Sequence, residues 1–179
     1  MEIRTHDLDL ELHGKQGDLT VAITEPSGKM TTGTIISLTP SKEDIFDKKR
    51  LNWPGEYEIT DILVTIFQNP ETTNPCTTFF NIDDVSFFVC PLSSLPLQLE
   101  VEEALGNIDV IVGLDDQKTK EARGLFSKVL DTYEPRIIIL IGTTETEAKE
   151  ISSRFTPVES TQIDKKKLPS DTQEWYLFS

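Results

Sequence analysis

The chain has 179 residues, with 31 acidic against 17 basic side chains and a formal charge of −14. Nucleic acids and anionic membranes are bound by cationic side chains that release counterions, so this balance argues against both as partners. The length suits one compact domain, residues 1–179, which would bury about 70% of its unfolded surface without staples.

The opening "MEIRTHDLDL" has no apolar core of a targeting signal, and the longest aliphatic run, Ile137 to Ile141, is far shorter than a membrane span. Two cysteines, Cys76 and Cys90, make no disulfide framework. They flank an expected hairpin, and its register decides whether they meet. Reduced thiols and a cytoplasmic location are expected.

The first half reads as strands. Leu8, Leu10 and Leu12 alternate with acids, which is the period of a half-buried strand. "LTVAIT" (Leu19 to Thr24) and "TIISLT" (Thr34 to Thr39) follow. Pro54-Gly55 marks a turn into "EYEIT", then "ILVTIFQ". "TTFFNI", the turn Asp83-Asp84 and "VSFFVC" predict a hairpin.

The second half changes period. "VEEALG" predicts a short helix with Gly106 as its cap, and "IDVIVGL" a buried strand. Between Gln117 and Tyr133, the residues Ala122, Leu125, Phe126, Val129, Leu130 and Tyr133 share one helical face. Pro135 ends that helix and "RIIILI" is a second buried strand. "TETEAKEISSRF" predicts a helix with an acidic first turn, and "EWYLF" a last strand. Lys165-Lys166-Lys167 is read as a solvated loop, against an anion site. Hairpins followed by alternating strands and helices predict sheets covered by helices in an α/β-type (α+β) fold.

Five stretches in order carry a resemblance: "AITEP", "PGEYEITDILV", "NIDDVSF", "ALGNIDVIV" and "YEPRIIILI". Together they resemble the metallo-β-lactamase fold, in the zinc-dependent hydrolase branch similar to ascorbate-6-phosphate lactonases. The resemblance implies a short αββα sandwich with its chemistry on loops at strand ends. It also implies a His-x-His-x-Asp-His motif after "TIISLT", where this chain has "PSKEDI". Pro40 and Lys42 take the first two histidine positions, Asp44 the aspartate and Ile45 the last histidine. The bridging His and Asp fall on Val89 and Leu92, or on Pro91 and Ser94 if Cys90 is the anchor. Gly142 stands where the final histidine should be.

Catalytic zinc needs about three protein ligands and one open position. The chain has two histidines, His6 and His13, and an unbroken strand would point them to opposite faces. Zinc is therefore not expected. Without it the pKa of the attacking water stays near 15.7, against about 7 on the metal, a gap worth roughly 12 kcal/mol in forming hydroxide.

Other candidates have two readings each. Asp44 is a leftover ligand or the acid of a Ser41-x-x-acid helix cap. Glu25, Asp44, Asp61, Asp115 and Asp116 would bind magnesium, manganese or calcium if they converge at strand ends. Trp53 and Tyr57 line a ligand pocket or pack where a turn meets a sheet. A Cys-His dyad has no local motif, and Ser93-Ser94 lacks a nucleophile elbow. "SFFVCPLSSLPLQL" (Ser86 to Leu99) is an interface if exposed, and fills the old cleft if it folds inward; partial filling by Val89 or Leu92 is expected. The expected function is a non-catalytic protein of this fold that binds a protein partner, a like subunit or a ligand. The alternatives are a hydrolase with a rebuilt carboxylate site, or a structural subunit.

Overall fold

The computed structural model describes residues 1–23, 33–40, 50–68 and 75–178. In chain order the strands begin with β1 (Glu2–His6), β2 (Asp9–His13), β3 (Asp18–Ala22), β4 (Thr34–Ser37) and β5 (Arg50–Leu51). They continue with β6 (Gly55–Ile59), β7 (Ile62–Phe67), β8 (Thr77–Ile82) and β9 (Val85–Pro91). After a 3₁₀ turn, Leu92–Ser94, come α1 (Leu99–Ala104), β10 (Val110–Leu114), α2 (Lys120–Tyr133), β11 (Ile137–Ile141) and α3 (Glu145–Ala148). Strands β12 (Thr156–Pro157) and β13 (Ser160–Gln162), a 3₁₀ turn at Lys165–Lys167 and β14 (Glu174–Phe178) complete the order.

Two sheets result. One has the order β13-β1-β2-β3-β4-β5, the other β12-β14-β11-β10-β9-β8-β7-β6. Alternation along the strands sends one set of side chains between them. Leu10, Leu12, Val21 and Ile36 from the first sheet meet Val64, Phe87, Val112 and Ile139 from the second. Phe80 and Phe87 stack in this layer with ring centroids 5.3 Å apart.

The opposite parity of the second sheet builds another layer. Phe88, Cys90, Ile111, Ile138 and Leu140 pack under Val101 of α1, Phe126 of α2 and Ala148 of α3. Because β9, β10 and β11 are covered on both faces, every residue in them is buried, which is why they read as continuous apolar runs. Gly113 is where α2 comes closest: a Cβ there would lie 2.7 Å from the Phe126 ring. Thr119 caps α2 by accepting from Ala122 N at 3.2 Å, and Glu134 ends it in the left-handed region just before Pro135.

Several expectations need correction. The first strand is two strands: Asp7 and Leu8 form a turn, and β1 pairs antiparallel with β2 from Glu2↔His13 to His6↔Asp9. Asp7 takes φ +54, which an Asp tolerates better than most residues. The exposed His6 and His13 therefore sit at opposite ends of a hairpin. α1 is capped by Leu105 in an extended conformation, not by Gly106. The helix expected after "RIIILI" is one turn, closed by a Thr144–Glu147 capping box. Lys165 is not simply solvated: its Nζ lies 2.6 Å from Asp109 Oδ2. Burial pushes the Asp109 carboxyl up, but Lys165 and Ser86 donate to it and hold it below its usual value. The three described α-helices all join the layer on the outer side of the second sheet. None of them is long and apolar enough to cross a membrane.

Candidate functional site

In parallel α/β sheets, ligands bind beyond the carboxyl ends of the strands. Here β9, β10, β11 and β14 run parallel and end together at Pro91, Leu114, Ile141 and Phe178. The chain past each end is held by its neighbour. Asp115 N donates to Ile141 O at 2.9 Å, and Gly142 N to Phe178 O at 3.2 Å.

Gly142 adopts φ +83, a conformation that favours glycine. Leu8, from the β1–β2 turn of the other sheet, lies directly against it. A Cβ on residue 142 would be 2.2 Å from Leu8 Cδ2, and 3.7 Å from Asp115 O. The leucine of a turn thus occupies the space a side chain at 142 would need.

The loop after β9 is also filled. Val89 is fully buried between the sheets, and Leu92 is buried on the opposite side, under the helices. Pro91, Ser93 and Ser94 are buried as well. Ser94 Oγ donates to Pro91 O at 2.6 Å, and Asp116 Oδ1 accepts from Ser93 N at 3.0 Å. These bonds close the turn and give Ser94 a structural role.

No family model matches the sequence, and no curated protein matches it. Solved structures do match. One is a protein from Thermotoga maritima assigned to the Zn-dependent hydrolases of the metallo-β-lactamase superfamily; the TM-score is 0.72 at 11% identity, over 99% of this chain and 97% of that one. The chain has the metallo-β-lactamase fold. Zn²⁺-bound PqqB from Methylobacterium extorquens is similar at a TM-score of 0.51 and 9% identity, over 80% of this chain and 79% of that one.

Of the residues that the sequence resemblance set at ligand positions, Pro40, Val89, Leu92 and Gly142 carry no donor side chain. The alternative alignment adds Pro91 and a Ser94 hydroxyl already donated to the backbone. Lys42, Asp44 and Ile45 lie outside the described residues, as does Glu25. Among the described residues, no group of three or more His, Cys, Asp or Glu side chains is arranged to hold a metal ion.

The carboxylates expected to converge do not do so among the described residues. Asp61 lies at the other end of the sandwich, in the β6–β7 turn, where its carbonyl accepts from Gln16 Nε2 at 3.3 Å. Gln16 in turn binds Asp83 of the β8–β9 turn. Asp115 and Asp116 are adjacent in sequence but serve different partners. Asp116 holds the loop after β9, whereas Asp115 is fully buried and faces helix α2.

Asp115 anchors a charge cluster that the sequence reading missed. Its Oδ2 lies 2.8 Å from Arg123 Nε, and its Oδ1 accepts from Lys118 N at 2.9 Å. Arg123 is 3% exposed and reaches Glu150 Oε2 at 3.0 Å. Its Nη2 is 3.0 Å from Glu147 Oε1, a coulombic contact off the line of a hydrogen bond. Burial opposes the Arg123 charge, but hydrogen bonds to Asp115 and Glu150 more than offset this and raise its pKa. A signal was available: Arg123 shares a helical face with Phe126 and Leu130, three and seven residues on.

Glu147 is held down to about 2 from 4.5, chiefly by the Thr144 hydroxyl and backbone, with Arg123 adding. A folded pKa below the unfolded one gives stability above pH 4.5 that is lost as pH falls toward 2. The wild-type urea midpoint should therefore fall between about pH 5 and about pH 2 more steeply than that of Glu147→Gln. Equal slopes would show that Glu147 is not so held.

Tyr57 packs against the inter-sheet core and donates from its hydroxyl to Trp53 O at 2.8 Å. This ties the Pro54-Gly55 turn to β6. The Trp53 ring is 48% exposed. The two cysteines are buried and free, and lie in different layers: Cys76 between the sheets, Cys90 under the helices. Burial raises the Cys76 thiol to about 11 and the Cys90 thiol further, so neither supplies a thiolate to a Cys-His dyad.

Proposed function

We propose that this chain is a non-catalytic metallo-β-lactamase-fold protein that holds no zinc and acts by binding a protein partner. The contact of Leu8 with Gly142 carries the reading. The position assigned to the final histidine cannot accept a Cβ while Leu8 stays in place, and φ +83 penalises any side chain there. Apolar burial of Val89 and Leu92 supports the same reading at the bridging positions. The residues present do not fit a zinc centre, so no hydrolytic step is assigned to them.

A cytoplasmic location accords with two free, buried cysteines. A protein partner accords better than nucleic acid or a membrane surface with a charge of −14.

Elemental analysis of protein purified without chelator tests the proposal. Zinc is expected far below one ion per chain, and adding zinc should leave the melting temperature unchanged. Near-stoichiometric zinc that survives dialysis would overturn it.

A further inference from the structure

The two sheets have four outer strands, and among the described residues three of these are stubs. β5 and β12 have two residues each and β13 has three. β6 has five and ends the second sheet. A long open edge presents its backbone to any further strand, and proteins commonly blunt edges by keeping them short.

The hairpin geometry fixes which groups β6 presents. Thr60 and Asp61 take φ +48 and +69, as a two-residue type I′ turn requires. The pair that closes such a turn exchanges both hydrogen bonds, so Ile59 bonds Ile62. Bonded pairs then alternate along the ladder, at Tyr57↔Val64 and Gly55↔Ile66. Glu58↔Leu63 and Glu56↔Thr65 are the unbonded pairs between them. The backbone N–H and C=O of Glu56 and Glu58 therefore point away from β7, where the sheet has no further strand.

Side chains decide what fits there. Tyr57 and Ile59 are half-buried and pack on the inter-sheet core, so Glu56 and Glu58 face outward, and both are exposed. Residues directly opposite in an added strand point to the same side as their partners. Lys or Arg would meet the two glutamates, and an apolar side chain would cover Tyr57. A second copy of β6 laid antiparallel about Tyr57 would set Glu56 against Glu58, acid on acid. The charge of −14 on each chain adds to that repulsion.

We propose that the β6 edge captures an extended segment of a partner protein in which apolar and basic residues alternate. The outward N–H and C=O groups of Glu56 and Glu58 hydrogen-bond its backbone, and their carboxylates select its charge. This rests on the binding function proposed above and names its surface and the chemistry of its partner.

The probe is a short synthetic peptide of strictly alternating Val and Lys, titrated into the whole chain. A Val/Glu peptide of the same pattern tests the charge. A Val/Lys peptide N-methylated throughout tests backbone pairing, since it keeps every side chain and loses its donors. Calorimetry should show binding of the Val/Lys peptide and not of the Val/Glu one, weakening as salt rises. N-methylation should weaken it at least about ten-fold. At saturating Val/Lys peptide the Glu56 and Glu58 amides should exchange with solvent at least about ten-fold more slowly. Glu56→Lys with Glu58→Lys, checked for an unchanged melt, should move the preference to the Val/Glu peptide.

Unchanged exchange at both amides, or equal binding of the N-methylated or the Val/Glu peptide by the wild-type chain, would overturn the proposal. A dimer in sedimentation that Glu58→Pro dissolves would also overturn it, by assigning the edge to a second copy. Tight zinc in the elemental analysis would defeat the non-catalytic reading and leave these binding results intact.

Discussion

Replacing Arg123 by Ala is expected to cost roughly 3–5 kcal/mol of folding stability, measured by urea denaturation at neutral pH. The reason is what stays behind. Asp115 is fully buried, and the guanidinium is the cation that meets its carboxylate. Glu147 and Glu150 are each about one-third exposed, so water can take over part of their solvation. Asp115 has no such recourse. A carboxylate left out of water without its counter-charge costs free energy.

A second chain separates that penalty from lost packing. Arg123→Met with Asp115→Asn removes both charges and keeps an acceptor for Lys118 N. It should recover roughly half of the loss, because replacing both members of a buried pair is far less harmful than removing one. A single-variant loss below about 1 kcal/mol would mean that water reaches Asp115 and the cluster is not dry.

Substituting Gly142 by Ala is the second large effect. Two penalties combine. The left-handed backbone at φ +83 costs a residue with a Cβ about 1–2 kcal/mol, and the clash at 2.2 Å from Leu8 Cδ2 adds an overpacking cost of about 1–3 kcal/mol. A loss of roughly 3 kcal/mol is expected. The double variant Leu8→Ala with Gly142→Ala relieves the clash but not the backbone term, so the two changes should be strongly non-additive. Strict additivity would show that Leu8 does not occupy this space. Gly142→His should behave worse than Gly142→Ala, since it puts a ring into the same volume.

Much of the fold was legible because local pattern and burial coincide. The hairpin of β8 and β9 was bracketed by its Asp83-Asp84 turn, and both turn residues take positive φ. The fully apolar runs of β10 and β11 announced strands covered on both faces. The apolar stripe of α2 is buried as its spacing required, apart from a half-buried Leu125 and Tyr133. The two-residue strands β5 and β12 were not legible, since so few residues carry no period. The β1–β2 hairpin was misread because Leu8 kept the alternation running through a turn.

At the candidate site, sequence supplied only the expectation of missing ligands. It could show that Pro40, Val89, Leu92 and Gly142 carry no donor side chain. It could not show where Val89 and Leu92 point, and they turn into two different apolar layers. Convergence of the carboxylates was likewise undecidable, because Asp61 and Asp115 reach opposite ends of the sandwich only once the strand directions are known.

The sequence by itself determined the charge, the shortage of imidazoles and the order of the longer strands and of helix α2. These follow from composition and from periods of two and 3.6, which are local properties of a chain. Only the tertiary structure decided that Leu8 meets Gly142 and that Asp115 is neutralised by Arg123. Whether a side chain fills a neighbour's space, or a charge finds its counter-charge out of water, depends on how distant segments pack, and no local pattern encodes that.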